Sequence, residues 1–255
     1  LGGGVEAPWE GAALDAAANA ALRAGGSGYL NATESLLPLD AAPTPSDAAA
    51  SAVGCLLDPV HGRAIARRIA ARLAEVLPGG ETLRENLGHL LSETDLGIFG
   101  YGLIEAHGAE RLWALQSSGQ LASFFADKSL PLHDRRPLDF LASLRGRKVA
   151  ACSAVWAAFA RRWELDLAVC VQPDPARPPS ESEIAAAVAR MRELRVTVLL
   201  AEPWADRATV ERIAQQASAV AVFCPAARAG DPCASSYRRT IEYVLNLTAS
   251  ALRGE

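Results

Sequence analysis

The side chains able to do chemistry are few and dispersed. Five cysteines and four histidines occur in 255 residues. No two cysteines have CxxC spacing, which excludes a zinc ribbon and a thioredoxin-type motif. His61, His89, His107 and His133 stand apart, with no HExxH to put two imidazoles on one helix face. No GxGxxG follows an apolar run, and neither a phosphate-binding GxxxxGK[ST] loop nor a GxSxG nucleophile elbow is present. Nothing marks a nucleophile, and the alternative reading as an α/β enzyme rests on the fold class alone. What remains is Glu202 in "AEPW", which ends the apolar run "VTVLLA". A carboxylate leaving a buried strand needs a partner or water. Trp204 follows it, Ser153 and Trp156 follow "KVAAC", and Cys224 and Arg228 follow "AVAVF". Aromatic rings with one acid and one base suit a small polar organic ligand. Trp156 has a second reading, as packing for its helix. Cys224 and Cys233 flank a Gly/Pro loop and read either as a disulfide in an oxidising compartment or as inert thiols. Cys170 sits inside an apolar run and reads as packing.

The elements that position these residues are legible from about residue 147 onward. "KVAAC", "LAVCV", "VTVLLA" and "AVAVF" are short β-type runs. Between them lie the helical segments "VWAAFARRWEL", "SEIAAAVARMREL" and "RATVERIAQQA". This alternation predicts an α/β fold with a parallel sheet and helices on both faces. Ser180 with Glu183 predicts a capping box for the middle helix. Ligands of open parallel sheets bind beyond the carboxyl ends of the strands. That selects the loops Ser153–Trp156, Gln172–Arg177, Glu202–Asp206 and Cys224–Cys233.

Upstream the texture is helical. A helix is expected in "PWEGAALDAAANAAL", and a loop over residues 40–54. From Val60 to Leu77, Val60, Ile65, Ile69, Leu73 and Val76 recur at helical spacing, with Arg63, Arg67, Arg68 and Arg72 on the other side. The arginines read as a solvated face rather than a phosphate site. A second helix follows through "ETLRENLGHLLSETD". Residues 96–146 are expected as short helices broken at glycines.

A net charge of −4 gives no reason to expect nucleic acid or an anionic membrane as partner. No apolar run is long enough to span a membrane. The chain opens on "LGGGVEAPW", and its single methionine is the internal Met191, so a processed or trimmed chain is expected.

The residues from Gly146 to Pro225, "GRKVAACSAVWAAFARRWELDLAVCVQPDP…AEPWADRATVERIAQQASAVAVFCP", resemble the C-terminal lobe of the cluster A-I, or TroA-like, substrate-binding proteins of zinc and manganese ABC transporters. "SSYRRTIEYV" resembles the start of that family's last helix. "GYLNATESLLPLD" and "LLDPVHGRAIARRIAARLAEVLP" resemble its N-terminal lobe and its "PHxWLDP" motif. "TDLGIFGYGLIEAHGAERLW" resembles an extended linker region of one branch.

The resemblance implies two α/β lobes joined by helix with a ligand held between them. The division expected is 1–90 for a partial N-terminal lobe, 91–146 for a helical linker and 147–255 for the C-terminal lobe. It implies metal held by histidines and an oxygen donor, which suits zinc or manganese. Carried over by position, the histidine of "PHxWLDP" falls at Gly54, that of "SH" or "YH" at Ser153, and a further ligand, an aspartate in some members, near Cys224 or Pro225. A histidine from an earlier "DPHxYEP" motif has no counterpart here. The N-terminal lobe, lacking the family's first strands, is expected to be reorganised or to belong to a longer natural chain. The family's metal positions are therefore degenerate, and no cofactor is assigned, zinc or another divalent ion being the candidate. A thiolate alternative, suited to Cu(I) or another soft metal, uses Cys55, Cys152 and Cys224, although Cys55 and Cys152 are each one position out of register with the aligned ligands. The resemblance further implies a periplasmic or otherwise extracytoplasmic monomer that delivers a small molecule or metal ion to an ABC permease.

Overall fold

The structure is a computed structural model, which describes residues 7–33, 54–126, 128–172, 178–224 and 235–254. Its chain divides into two compact units, Leu1–Leu91 and Ser92–Glu255. The loop expected over residues 40–54 lies outside the described residues except for Gly54, which is helical.

The first unit is helical among its described residues. Helix α1 spans Ala7–Ala17 and α2 spans Pro59–Val76. Helix α3, Gly80–Phe99, starts here and runs on into the second unit. Asp58 sets the start of α2: its carboxylate accepts the Val60 N–H at 2.9 Å, and Pro59 occupies the first helical position. Val60 is half-buried, and Ile65 is buried with Ala32 and Cys55. The expected apolar stripe thus covers only the first half of the helix, for Ile69 and Val76 are exposed. The arginine face also needs correction. Arg63 is buried, and Arg72 donates to the carbonyls of Gly26 and Ser27 while pairing with Glu75. These guanidinium contacts hold the preceding loop against α2 instead of facing solvent. Asp58→Ala is expected to cost about 1 kcal/mol through the lost cap, read as a lower urea midpoint with unchanged slope.

The second unit opens with four short helices: α4 (Tyr101–His107), α5 (Ala109–Ser117), α6 (Leu121–Phe125) and α7 (Leu132–Leu144). The expected glycine breaks are present. Gly100 and Gly108 precede α4 and α5, each with φ near +76°, a conformation that strains any residue with a Cβ. Trp113 crosses edge-on to Phe99 with centroids 4.7 Å apart, and its indole N–H donates to the buried Asp95 carboxylate at 2.7 Å.

Four parallel strands follow: β1 (Lys148–Ser153), β2 (Asp166–Gln172), β3 (Val198–Ala201) and β4 (Val220–Phe223), in the order β2-β1-β3-β4. Between them run α8 (Ala157–Arg162), α9 (Glu181–Leu194) and α10 (Arg207–Ala217), and α11 (Tyr237–Arg253) closes the fold. Side-chain alternation divides the sheet. Ala150, Cys152, Val169, Val171, Leu199 and Ala201 join the inner residues of α9 and α10 in one apolar cluster. Helix α11 packs on β3 and β4 and buries Ile241, Val244 and Leu245. The predicted capping box is formed: Ser180 Oγ accepts the Glu183 N–H at 3.3 Å, and Glu183 accepts the Ser180 N–H at 2.8 Å. Ser180→Ala is expected to cost about 1 kcal/mol, checked by chemical denaturation against Glu183→Ala, with the double substitution costing less than the sum.

Candidate functional site

Three adjacent strands end in residues with chemistry. Ser153 is the last residue of β1, Glu202 follows β3 and Cys224 follows β4. The Ala201–Phe223 pairing and the Cys224 N–H donated to the Ala201 carbonyl at 2.9 Å put Glu202 and Cys224 level at the sheet edge. Ser153 pairs with Gln172 of β2 at the same edge. Alternation, continued one residue beyond β3 and β4, gives Ser153, Glu202 and Cys224 the face opposite Cys152.

At the centre is a hydrogen bond from Ser153 Oγ to Glu202 Oε1. Both side chains are buried. The Ser153 oxygen also accepts the Val155 N–H at 3.3 Å, so one hydroxyl joins the carboxylate to the turn that begins α8. Burial pushes the Glu202 carboxyl above its ordinary range, and the Ser153 bond opposes that shift in part. The two nearby thiols respond to the same surroundings. Cys224 is pushed up to about 11, by burial first and then by the Glu202 charge. Cys152 is raised further, again chiefly by burial.

The other residues read from the sequence fall in different places. Trp156 is fully buried, its ring edge-on to Phe159 at 5.4 Å, so it fills the core instead of lining an open cleft. Its indole N–H has no hydrogen-bond partner among the described residues. Trp204 is 68 % exposed, near Glu202 in sequence and open to solvent. Arg228 and Cys233 lie outside the described residues, and with them the expected Cys224–Cys233 pairing and most of two of the four ligand loops.

Gly54 belongs to the first unit and offers no donor, as aligned. The three-thiol alternative does not stand. Cys152 packs into the apolar cluster under α9 and α10, because one step along a strand reverses the side chain. Cys55 is enclosed in the first unit's own small core. Among the described residues no three His, Cys, Asp or Glu side chains are gathered closely enough to hold a metal ion. None of the four histidines joins the strand ends. His61 lies 3.7 Å from Asp58, His89 is exposed on α3, His107 packs edge-on to Phe124 and Phe125, and His133 is exposed beside Asp134. The sequence reading missed the bond between Ser153 and Glu202. Its signal was there, since both residues stand at the carboxyl ends of apolar runs.

The comparisons agree with the fold. Residues 133–251 match the family model described as zinc-uptake complex component A, periplasmic. A ZnuA crystal structure superposes with a TM-score of 0.60 at 20 % identity, covering 97 % of this chain and 75 % of that one. The laminin-binding protein Lmb of Streptococcus agalactiae, described as having adhesin and metal-transporting activity, gives 0.59 at 16 % identity, over 88 % and 71 %. A manganese-bound periplasmic metal-binding protein from Candidatus Liberibacter asiaticus gives 0.58 at 11 % identity, over 88 % and 71 %. No curated protein sequence matches significantly. The fold is therefore that of the periplasmic-binding-protein-like α/β chains.

Within that fold, residues 133–251, a little under half of the chain, are similar to the zinc-uptake family. No described helix is long and apolar enough to cross a membrane.

Proposed function

We propose that this protein is the extracytoplasmic substrate-binding component of a metal-family ABC transporter, with its ligand held at the carboxyl edge of the β1–β3–β4 sheet and the family's histidines replaced. The observation that supports this most is the buried Ser153–Glu202 pair. It stands at adjacent strand ends inside the segment that matches the zinc-uptake family. Ser153 occupies the position aligned with a family histidine, and it gives the buried Glu202 carboxylate a hydrogen bond that an apolar residue there could not. The protein works as a monomer, handing a small molecule or metal ion to a permease, and nucleic acid is not among its partners.

The test is capture. Immobilised protein incubated with detergent-solubilised membranes from its source cell should retain a permease and an ATPase identifiable by mass spectrometry. Retention of neither, from membranes in which both are expressed, sinks the transport reading whatever the protein binds.

A further inference from the structure

In the second unit Arg145, Arg190, Arg207, Arg212 and Arg238 are each held by an acid, Glu164, Glu193, Glu211, Glu181 and Glu242 in turn. Arg111 and Lys128 are not. Among the described residues no carboxylate forms an ion pair with either. Each lies instead against the ring of Phe124, the Arg111 guanidinium carbon 4.8 Å and the Lys128 ammonium 4.4 Å from its centroid. The two charges therefore stand no more than about 9 Å apart, close enough to repel at ordinary salt. Three parts of the chain bring this about. Arg111 comes from the first turn of α5, Phe124 from α6, and Lys128 from just beyond α6, where its N–H donates to the Phe125 carbonyl at 3.1 Å. The ring is fixed in its turn, for Phe125 meets it edge-on at 4.9 Å and His107 of α4 at 5.6 Å. Glu105 of α4 is engaged by the Tyr101 hydroxyl at 3.1 Å. Both cations are exposed, and Phe124 is half-buried.

From these placements we infer that this corner of the second unit docks an acidic segment of a partner protein, one with two or more carboxylates a few residues apart. Charge complementarity is the reason. Two cations held together without acids repel each other, and a pair of carboxylates relieves that repulsion. Contact with the ring face keeps each charge in place instead of leaving it on a free stem. That fixing selects the shape of the anion. Neither side chain can close around one small anion such as phosphate without leaving Phe124. A peptide reaches both where they stand, since carboxylates two residues apart on an extended chain are separated by about 7 Å. An anionic membrane is a poorer match. It would face the whole chain, whose net charge is −4, whereas a short segment faces only this corner. None of these residues belongs to the strand-end site, so the docking surface does not depend on what that site binds.

The experiment is fluorescence anisotropy of a dye-labelled peptide that alternates glutamate with serine, titrated with the full chain at about 50 mM and about 200 mM salt. The wild-type chain is expected to bind it, several-fold more weakly at the higher salt, and to ignore the same peptide with glutamine for glutamate. Arg111→Ala combined with Lys128→Ala should weaken binding about 5- to 10-fold. Arg161→Ala combined with Arg239→Ala removes the same charge from exposed positions elsewhere and should leave binding within about 2-fold of wild type. Exchanging the two cations, Arg111→Lys with Lys128→Arg, should retain it. Equal loss in the two alanine pairs overturns the inference in favour of general electrostatic attraction, as does failure of the wild-type chain to bind the peptide at the lower salt. Inorganic phosphate that displaces the labelled peptide at a lower concentration than the unlabelled peptide does makes this a small-anion site. Cosedimentation with phosphatidylglycerol vesicles that depends on Arg111 and Lys128 makes it a membrane contact. Either result also overturns the inference.

Discussion

Trp156→Ala is expected to destabilise the C-terminal unit by about 3–5 kcal/mol, the range for removing a fully buried aromatic side chain. Trp156 is 0 % exposed and forms the first member of a stack in which Phe159 meets Trp156 at 5.4 Å and Trp163 at 6.4 Å. Removing it leaves a cavity beside Phe159 that the short helix α8 cannot collapse to fill. The thermal midpoint should fall by on the order of 10 °C. Trp156→Phe separates packing from polar function. The indole N–H has no partner among the described residues, so the phenyl ring loses some volume and no hydrogen bond. Its cost should be well below that of the alanine variant, about 1–2 kcal/mol. Differential scanning calorimetry of both variants decides the point. Equal loss in the two would show that the indole nitrogen has a structural role beyond packing.

Glu202→Gln is expected to make the unliganded protein more stable at pH 8, by roughly 1–3 kcal/mol, and to leave it unchanged near pH 4. The sign follows from the burial of the carboxyl. Its pKa is raised in the folded state, so folding favours the protonated form. The stability linked to that proton is fully present below the unfolded value, about 4.3, and is lost as pH rises through the folded pKa. Glutamine carries no such dependence, and its side-chain oxygen can still accept the Ser153 proton. Urea denaturation of both proteins between pH 4 and pH 8 should give curves that meet at the acid end and diverge above it. Parallel curves across that range would show that Glu202 stays ionised in the empty site.

Much of the second unit was legible because its signals are local. "VTVLLA" and "AVAVF" are too short for helices and too apolar for loops, and both form strands within a residue or two of the expected limits. Ser180 and Glu183 lie three residues apart, so their capping box could be read directly. The helix at Pro59–Val76 was equally plain. Its surroundings were not. Periodicity assigns a residue to a side of a helix, but it does not say what lies against that side. Arg63 was therefore placed in solvent and Ile69 in a core, and both assignments fail.

By itself the sequence determined that this is an α/β chain resembling the zinc and manganese binding proteins, with glycine, serine and cysteine at the positions aligned with their ligands. Those facts follow from residue type and order alone. Only the tertiary structure decided which of the candidates meet. It joined Ser153 to Glu202, 49 residues apart, and set Cys224 beside them. It also withdrew Trp156 into the core and turned Cys152 to the opposite face. The reason is the strand's two-residue period. A sheet edge brings distant residues level, and a single step along any strand decides whether a side chain faces the site or the packed helices behind it.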